Sequence, residues 1–160
     1  MTCTRSVARS VDGRHPPNND RPPFTTSRIM ARKSVLTSQA APPAGAYSQA
    51  VSAGDFVFVS GQLPLDPNGA LVGAGDIKAQ TRIVLHNMAA ILREAGSSLD
   101  DVVKTTVFLT SLDDFPGMNE IYAATFAPPY PARSTVEIGR LPHGMLLEIE
   151  CIATAQRKTT

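Results

Sequence analysis

An arginine stands inside a run that otherwise suits a β-strand, Pro131-Ala132-Arg133-Ser134-Thr135-Val136-Glu137-Ile138. Two glutamates interrupt a second aliphatic run, Leu146-Leu147-Glu148-Ile149-Glu150-Cys151-Ile152-Ala153. Arginine and glutamate are seldom buried unless they are paired or used. Two neighbouring strands that each break their own apolar pattern with charge therefore point to a site. A guanidinium stays ionised and offers a planar fork of donors that matches a carboxylate. The chemistry suggested is capture of a small carboxylate by Arg133, with Glu148 or Glu150 nearby for proton transfer. On the residues alone, a structural pairing of Arg133 with Glu137, on the same strand face, or with a glutamate opposite, is an equally good account.

The elements that position these residues can be read in order. Ser48 to Val51 reads as a short strand, Ala53-Gly54-Asp55 as a turn, and Phe56 to Ser60 as the second arm of a hairpin. Leu63 to Val72, with Pro64, Pro67 and Asn68-Gly69, reads as a loop. Asp76 can cap a helix that Gly96 ends, with Ile77, Val84, Leu85, Met88, Ile91, Leu92 and Ala95 forming its apolar stripe. Val102 to Leu109 reads as a strand. A second helix begins at a capping Asp113 or Asp114, turns Phe115, Met118, Ile121, Tyr122 and Phe126 inward, and stops before Pro128-Pro129. The order β-β-α-β-α-β-β predicts an α+β sandwich, one mixed sheet with two helices on one face. The last strand has aliphatic residues on both faces, so the uncovered face calls for a partner, most simply further copies of the chain.

The chain of 160 residues suits one domain preceded by an extension. Residues 1–33 hold seven Arg and Lys against Asp12 and Asp20, with Pro16-Pro17 and Pro22-Pro23 breaking any regular element. The segment reads as disordered or as an Arg- and Ser-rich organelle-targeting peptide, with translation from Met30 as a third reading. Residues 34–160 form the domain and carry eight basic against twelve acidic side chains, a balance that argues against polyanion binding. No apolar run reaches the roughly 18 residues of a membrane span, and a cytoplasmic protein is expected unless the extension directs it to an organelle. Cys3 and Cys151 make no disulfide framework. CxxC and HExxH are absent and His15, His86 and His143 are scattered, so no metal site is expected.

Several segments together resemble one family. Gly45-Ala46-Tyr47-Ser48-Gln49-Ala50, Phe58-Val59-Ser60-Gly61-Gln62-Leu63-Pro64, Val103-Lys104-Thr105-Thr106-Val107-Phe108-Leu109 and Phe115-Pro116-Gly117-Met118-Asn119 are similar to the RidA (YjgF) enamine/imine deaminases. Pro131-Ala132-Arg133-Ser134 and Leu147-Glu148-Ile149-Glu150 are the specific motifs, and the likeness runs from about Ala44 to Ala155. The resemblance implies a chorismate-mutase-like fold and a homotrimer with its active sites in the clefts between subunits. It implies hydrolysis of 2-aminoacrylate, 2-aminocrotonate and related 2-imino acids to 2-keto acids and ammonia, with no metal or organic cofactor. Arg133 matches the residue that grips the substrate carboxylate, and Glu148 the one that orients or activates water. Tyr47, Ser60, Gly61 and Asn119 match pocket residues. Thr135 stands where the family often has cysteine, a position that binds mostly through its backbone. A keto-acid sensor without turnover, and a ribonuclease or translation inhibitor, are the alternative functions.

Overall fold

The computed structural model describes residues 32–155, so the expectations for residues 1–31 lie outside it. Six strands form one sheet: β1 (Lys33–Val35), β2 (Ala50–Ala53), β3 (Phe56–Gln62), β4 (Val102–Leu109), β5 (Ala132–Glu137) and β6 (Leu147–Thr154). Helix α1 (Ile77–Glu94) joins β3 to β4, and α2 (Phe115–Thr125) joins β4 to β5. The order across the sheet is β1-β2-β3-β6-β4-β5, and only the β4–β5 pair is parallel.

Local chemistry fixes α1. Asp76 accepts from the backbone N–H groups of Lys78 (2.9 Å) and Ala79 (3.0 Å), two of the donors that a helix start leaves unpaired. At the far end Gly96 takes φ 75°. There the N–H of Gly96 bonds the carbonyl of Arg93, and that of Ser97 the carbonyl of Leu92, which closes the last turn. The start of α2 departs from expectation. Neither Asp113 nor Asp114 caps with its side chain; Leu112–Asp114 form a 3₁₀ turn whose Asp113 N–H is accepted by Ser111 Oγ. Gly117 lets α2 approach α1, because a Cβ there would come within 2.7 Å of Ile77 Cγ2.

Both helices cover one face of the sheet. Val57 and Val59 of β3, Val107 and Leu109 of β4, and Leu147, Ile149, Cys151 and Ala153 of β6 meet the α1 stripe there. Each large side chain buried in this way contributes about 1.5–3 kcal/mol. The opposite face stays open. Phe58 is 44% and Val136 42% exposed on it, beside Glu148, Glu150 and Ile152. Burial alternates along the whole of β6, as the sequence predicts.

Two sequence expectations are corrected. The first strand lies at Ala50–Ala53 rather than Ser48 to Val51, and an additional edge strand, β1, pairs with it. The two charged strands are not neighbours, because β4 lies between β5 and β6.

Candidate active site

Strand β5 pairs in register with β4, which puts Arg133 beside Thr105 on the helix-covered face. The side chain runs beneath α2. Arg133 Nη2 donates to Asn119 Oδ1 at 2.9 Å, and the guanidinium carbon lies 4.5 Å from the Tyr122 ring centroid and 5.5 Å from that of Phe115. Of the five guanidinium N–H donors only one is given to Asn119, which leaves others for a ligand. Tyr122 is itself held by a 2.8 Å hydrogen bond between its phenol and Thr105 Oγ1. Burial raises the Tyr122 pKa, with Thr105 and Arg133 pulling the other way, so the phenol stays neutral. Arg133 does not pair with Glu137, whose Oε2 instead accepts from the Leu112 N–H at 2.8 Å. A cavity of about 330 Å³ opens beside the guanidinium, lined by Asn119, Tyr122, Ala123, Tyr130, Pro131 and Arg133. Thr135, two residues along the same face, has a buried hydroxyl with no hydrogen-bond partner.

Glu148 lies on the other face. It sits opposite Phe108, which sits opposite Val136, three residues past Arg133 on β5. Strand spacing and rise put the Arg133 and Glu148 Cα atoms about 14 Å apart, on opposite sides of the sheet. The expectation that the two lie close within one chain is therefore corrected.

The Glu148 side chain packs across Gly61, where a Cβ would come within 2.6 Å of its carboxyl carbon and 2.9 Å of its Cγ. Gly61 falls in the register shift between β3 and β6. Only a residue without a side chain leaves room for that carboxylate. Burial pushes the Glu148 pKa above the ordinary carboxylate range, and the neighbouring Glu150 charge pushes it further.

Ser60 spends its hydroxyl on the Ser48 carbonyl at 2.7 Å, and its N–H bonds the Gln49 carbonyl at 3.0 Å. The Tyr47–Ser48 segment is thereby tied to the end of β3 next to Gly61. Tyr47 is 49% exposed, and its phenol accepts from the Ala44 N–H at 3.1 Å. The predicted residues thus fall into two groups. Arg133 and Asn119 line the helix-side cavity and Thr135 shares the strand face of Arg133, while Tyr47, Ser60, Gly61 and Glu148 belong to the loop and open face around β3 and β6.

Sequence reasoning missed the buried amides that hold the loops around the second group. Gln80, fully buried on α1, donates through Nε2 to the carbonyls of Gly73 (3.0 Å) and Gly144 (3.3 Å). Its Oε1 accepts from the Leu146 N–H at 2.8 Å, two residues before Glu148. Asn87 donates to the Leu65 carbonyl at 2.8 Å. The available signal was spacing: Gln80, Val84, Asn87 and Ile91 lie on one helix face, the face that the apolar stripe marks as inward. Elsewhere, His86 is exposed on α1 and His143 sits in the turn before β6. Burial drives the Cys151 thiol up to about 12, so it is an inert core side chain. Among the described residues no three His, Cys, Asp or Glu side chains converge as a metal ion would need, and no helix is long and apolar enough to cross a membrane.

Comparison with known proteins agrees with this architecture. The family profile described as Endoribonuclease L-PSP matches residues 37–155. A RutC family protein of Pyrococcus abyssi is 51% identical over 124 residues, covering 78% of this chain and 98% of that protein. The chloroplastic Reactive Intermediate Deaminase A of Arabidopsis thaliana is 44% identical over 137 residues, covering 83% of this chain and 73% of that one. The crystal structure of E. coli TdcF with bound serine superposes with a TM-score of 0.73 at 42% identity, covering 78% of this chain and 99% of that one. By fold, by sequence along most of its length and by the motifs around Arg133 and Glu148, this chain belongs to the RidA/YjgF family.

Proposed function

We propose that the chain hydrolyses 2-imino acids, and the enamines that tautomerise to them, to 2-keto acids and ammonia. The observation that carries the reading is Arg133: a guanidinium 4.5 Å from the Tyr122 ring centroid, hydrogen-bonded to Asn119, on a residue that lines an open cavity. A carboxylate held there by charged hydrogen bonds gains about 1.5–3 kcal/mol per bond, and its C2 is presented to water with much of the bimolecular entropy cost already met. Water adds its oxygen to C2 and the C–N bond breaks. Both water protons end on nitrogen, which leaves as ammonia. A carboxylate whose pKa is raised holds a proton more readily than an ordinary one and so suits such a shuttle. Burial and the neighbouring Glu150 charge raise that of Glu148. The deaminase in the name of the Arabidopsis relative supports the same reading.

Arg133 and Glu148 face opposite ways within one chain, so the reading requires a second copy. One subunit supplies the anchor (Arg133, Asn119, Thr135), and its neighbour supplies the water-handling group (Tyr47, Ser60, Gly61, Glu148). The open sheet face with Phe58, Val136 and Ile152 is the surface such a trimer would cover. Neither metal nor organic cofactor has a step in this scheme.

The test is release of keto acid from freshly generated 2-aminoacrylate or 2-aminocrotonate, with and without the protein. Acceleration is expected in the parent. Arg133→Ala should lose it at least a hundredfold, and Arg133→Lys should recover little, because an ammonium lacks the planar fork. Product-like keto acid that binds without any turnover would mark a sensor instead. Retention of most activity in Arg133→Ala would remove Arg133 as the anchor.

A further inference from the structure

We propose that Thr105 of β4 is a positioning residue for the anchor: it holds the Tyr122 ring, and through that ring the Arg133 guanidinium, in place for a carboxylate. The proposal rests on the imine-hydrolysis reading and adds a residue to it. Thr105 is fully buried, and beside Val102, Val107 and Leu109 it is the one polar side chain at the buried positions of β4. A hydroxyl among aliphatic neighbours costs free energy unless it is hydrogen-bonded. Valine has nearly the same shape and would fill the position without that cost. The Thr105 Oγ1 reaches the Tyr122 phenol at 2.8 Å, and Tyr122 is itself buried. Register sets Thr105 directly beside Arg133 on the neighbouring strand. Strand β4 thus meets the anchor twice, through the backbone of β5 and through the phenol of α2.

The ring contacts and the hydrogen bond constrain different motions. Tyr122 lies 4.5 Å, centroid to centroid, from Phe126, and the Arg133 guanidinium carbon lies 4.5 Å from the Tyr122 centroid. Such contacts fix the distances between the groups but let a ring turn or slide in its own plane, because a π-face attracts over a broad area. A hydrogen bond at the phenol end is directional and stops that sliding. Asn119, three residues before Tyr122 on α2, holds the Arg133 Nη2 at 2.9 Å. Without the Thr105 hydroxyl, the guanidinium keeps its charge and its Asn119 bond but loses the fixed ring beside it.

The experiment compares the parent with Thr105→Val, Thr105→Ser, Tyr122→Phe and the double variant Thr105→Val/Tyr122→Phe. It measures 2-ketobutyrate affinity by calorimetry, and KM and kcat on freshly generated 2-aminocrotonate. It also measures the NMR order parameter of the Arg133 Nε–H group, assigned by its loss in Arg133→Ala. Thr105→Val should raise the 2-ketobutyrate Kd and the KM together by about three- to tenfold, the scale of one hydrogen bond. The kcat should stay within about twofold, the mark of an interaction made equally in the ground and transition states. The order parameter should fall from about 0.85 toward about 0.6. Thr105→Ser keeps the hydroxyl and should restore most of both. Tyr122→Phe removes the same bond from the other side and should match Thr105→Val, and the double variant should bind no worse than either. Stability should separate from binding: each single variant strands a buried hydroxyl and the double variant strands none, so its thermal midpoint should recover while its Kd does not. An unchanged order parameter or Kd in both single variants, or a Kd that recovers with the thermal midpoint, would overturn the positioning role. A parent that neither binds 2-ketobutyrate nor hydrolyses 2-aminocrotonate would instead overturn imine hydrolysis, and this role with it.

Discussion

At the residue scale the proposed chemistry turns on the contrast between Glu148 and Glu150. Both lie on the open face of β6, two residues apart, and the charge of Glu150 helps to hold the Glu148 pKa above its ordinary range. If Glu148 accepts a proton from water, activity must fall as pH drops through that raised value. Glu150→Gln removes the charge and leaves the burial, so the Glu148 pKa falls and the acid limb of the kcat/KM profile should move to lower pH. Glu148→Gln should instead abolish the limb and lower kcat about a hundredfold or more, while keto-acid binding through Arg133 survives. Profiles of both variants decide the assignment, and an acid limb unchanged in Glu148→Gln would remove Glu148 from the mechanism. Gly61 gives a second handle on the same carboxylate. Its φ is not in the left-handed region, so alanine fits the backbone, yet the added Cβ would lie within 2.6 Å of the Glu148 carboxyl carbon. Gly61→Ala should therefore leave the fold intact and lower kcat toward that of Glu148→Gln. Wild-type kcat in Gly61→Ala would show that the position of the carboxylate does not matter. Thr135 stands apart from these residues. Its hydroxyl, where the family often has cysteine, is buried without a partner, and a bound ligand or water is what it can serve.

At the scale of elements, what could be read from the sequence follows what is local. The cap, stripe and stop of α1 are all set within a few residues, and the helix lies where Asp76 and Gly96 place it. Strand β4 likewise matches its predicted span, Val102–Leu109, because the run is bounded by turn residues. Strand order is not local. Nothing in the two charged segments says that β4 separates them, so their closeness in sequence was misread as closeness in space. The face of Arg133 was equally hidden, since a strand with intermediate exposure on alternate residues gives no inward side. Gln80 was missed for a different reason: a polar residue on a helix reads as solvent-facing until the loops it ties are known. With three hydrogen bonds to the segments before α1 and before β6, Gln80→Leu should cost about 2.5–4 kcal/mol in denaturant unfolding, counting about 0.5–1 per lost bond and about 1 for the stranded Leu146 N–H. Gln80→Glu can still accept from Leu146 and should recover part of that loss. A stability change below about 0.5 kcal/mol, the scale of an ordinary surface substitution, would show that the loops hold without it.

At the scale of the whole molecule, the two groups of site residues make a prediction that no single-chain site shares. Arg133 lies on the helix side of the sheet and Glu148 on the open side, and the open side carries the exposed apolar residues that a second copy would bury. If each site takes its arginine from one subunit and its glutamate from the next, a protein lacking only Arg133 and a protein lacking only Glu148 hold complementary halves. Each homotrimer alone should be inactive. Mixed trimers, made by co-expressing Arg133→Ala with Glu148→Gln in equal amounts, place an intact Arg133 against an intact Glu148 at about a quarter of their interfaces, given random assembly with closed three-fold symmetry. Specific activity near a quarter of the parental value is therefore expected, with the KM of the parent, because the restored sites are wild-type in every residue. Mixing the two purified homotrimers without subunit exchange should restore nothing. Activity of the co-expressed protein no greater than the mean of the two variants would mean that Arg133 and Glu148 act within one chain or not together. Restored activity with a strongly altered KM would mean that the rescued site is not the one built from Arg133, Asn119 and the cavity beside them.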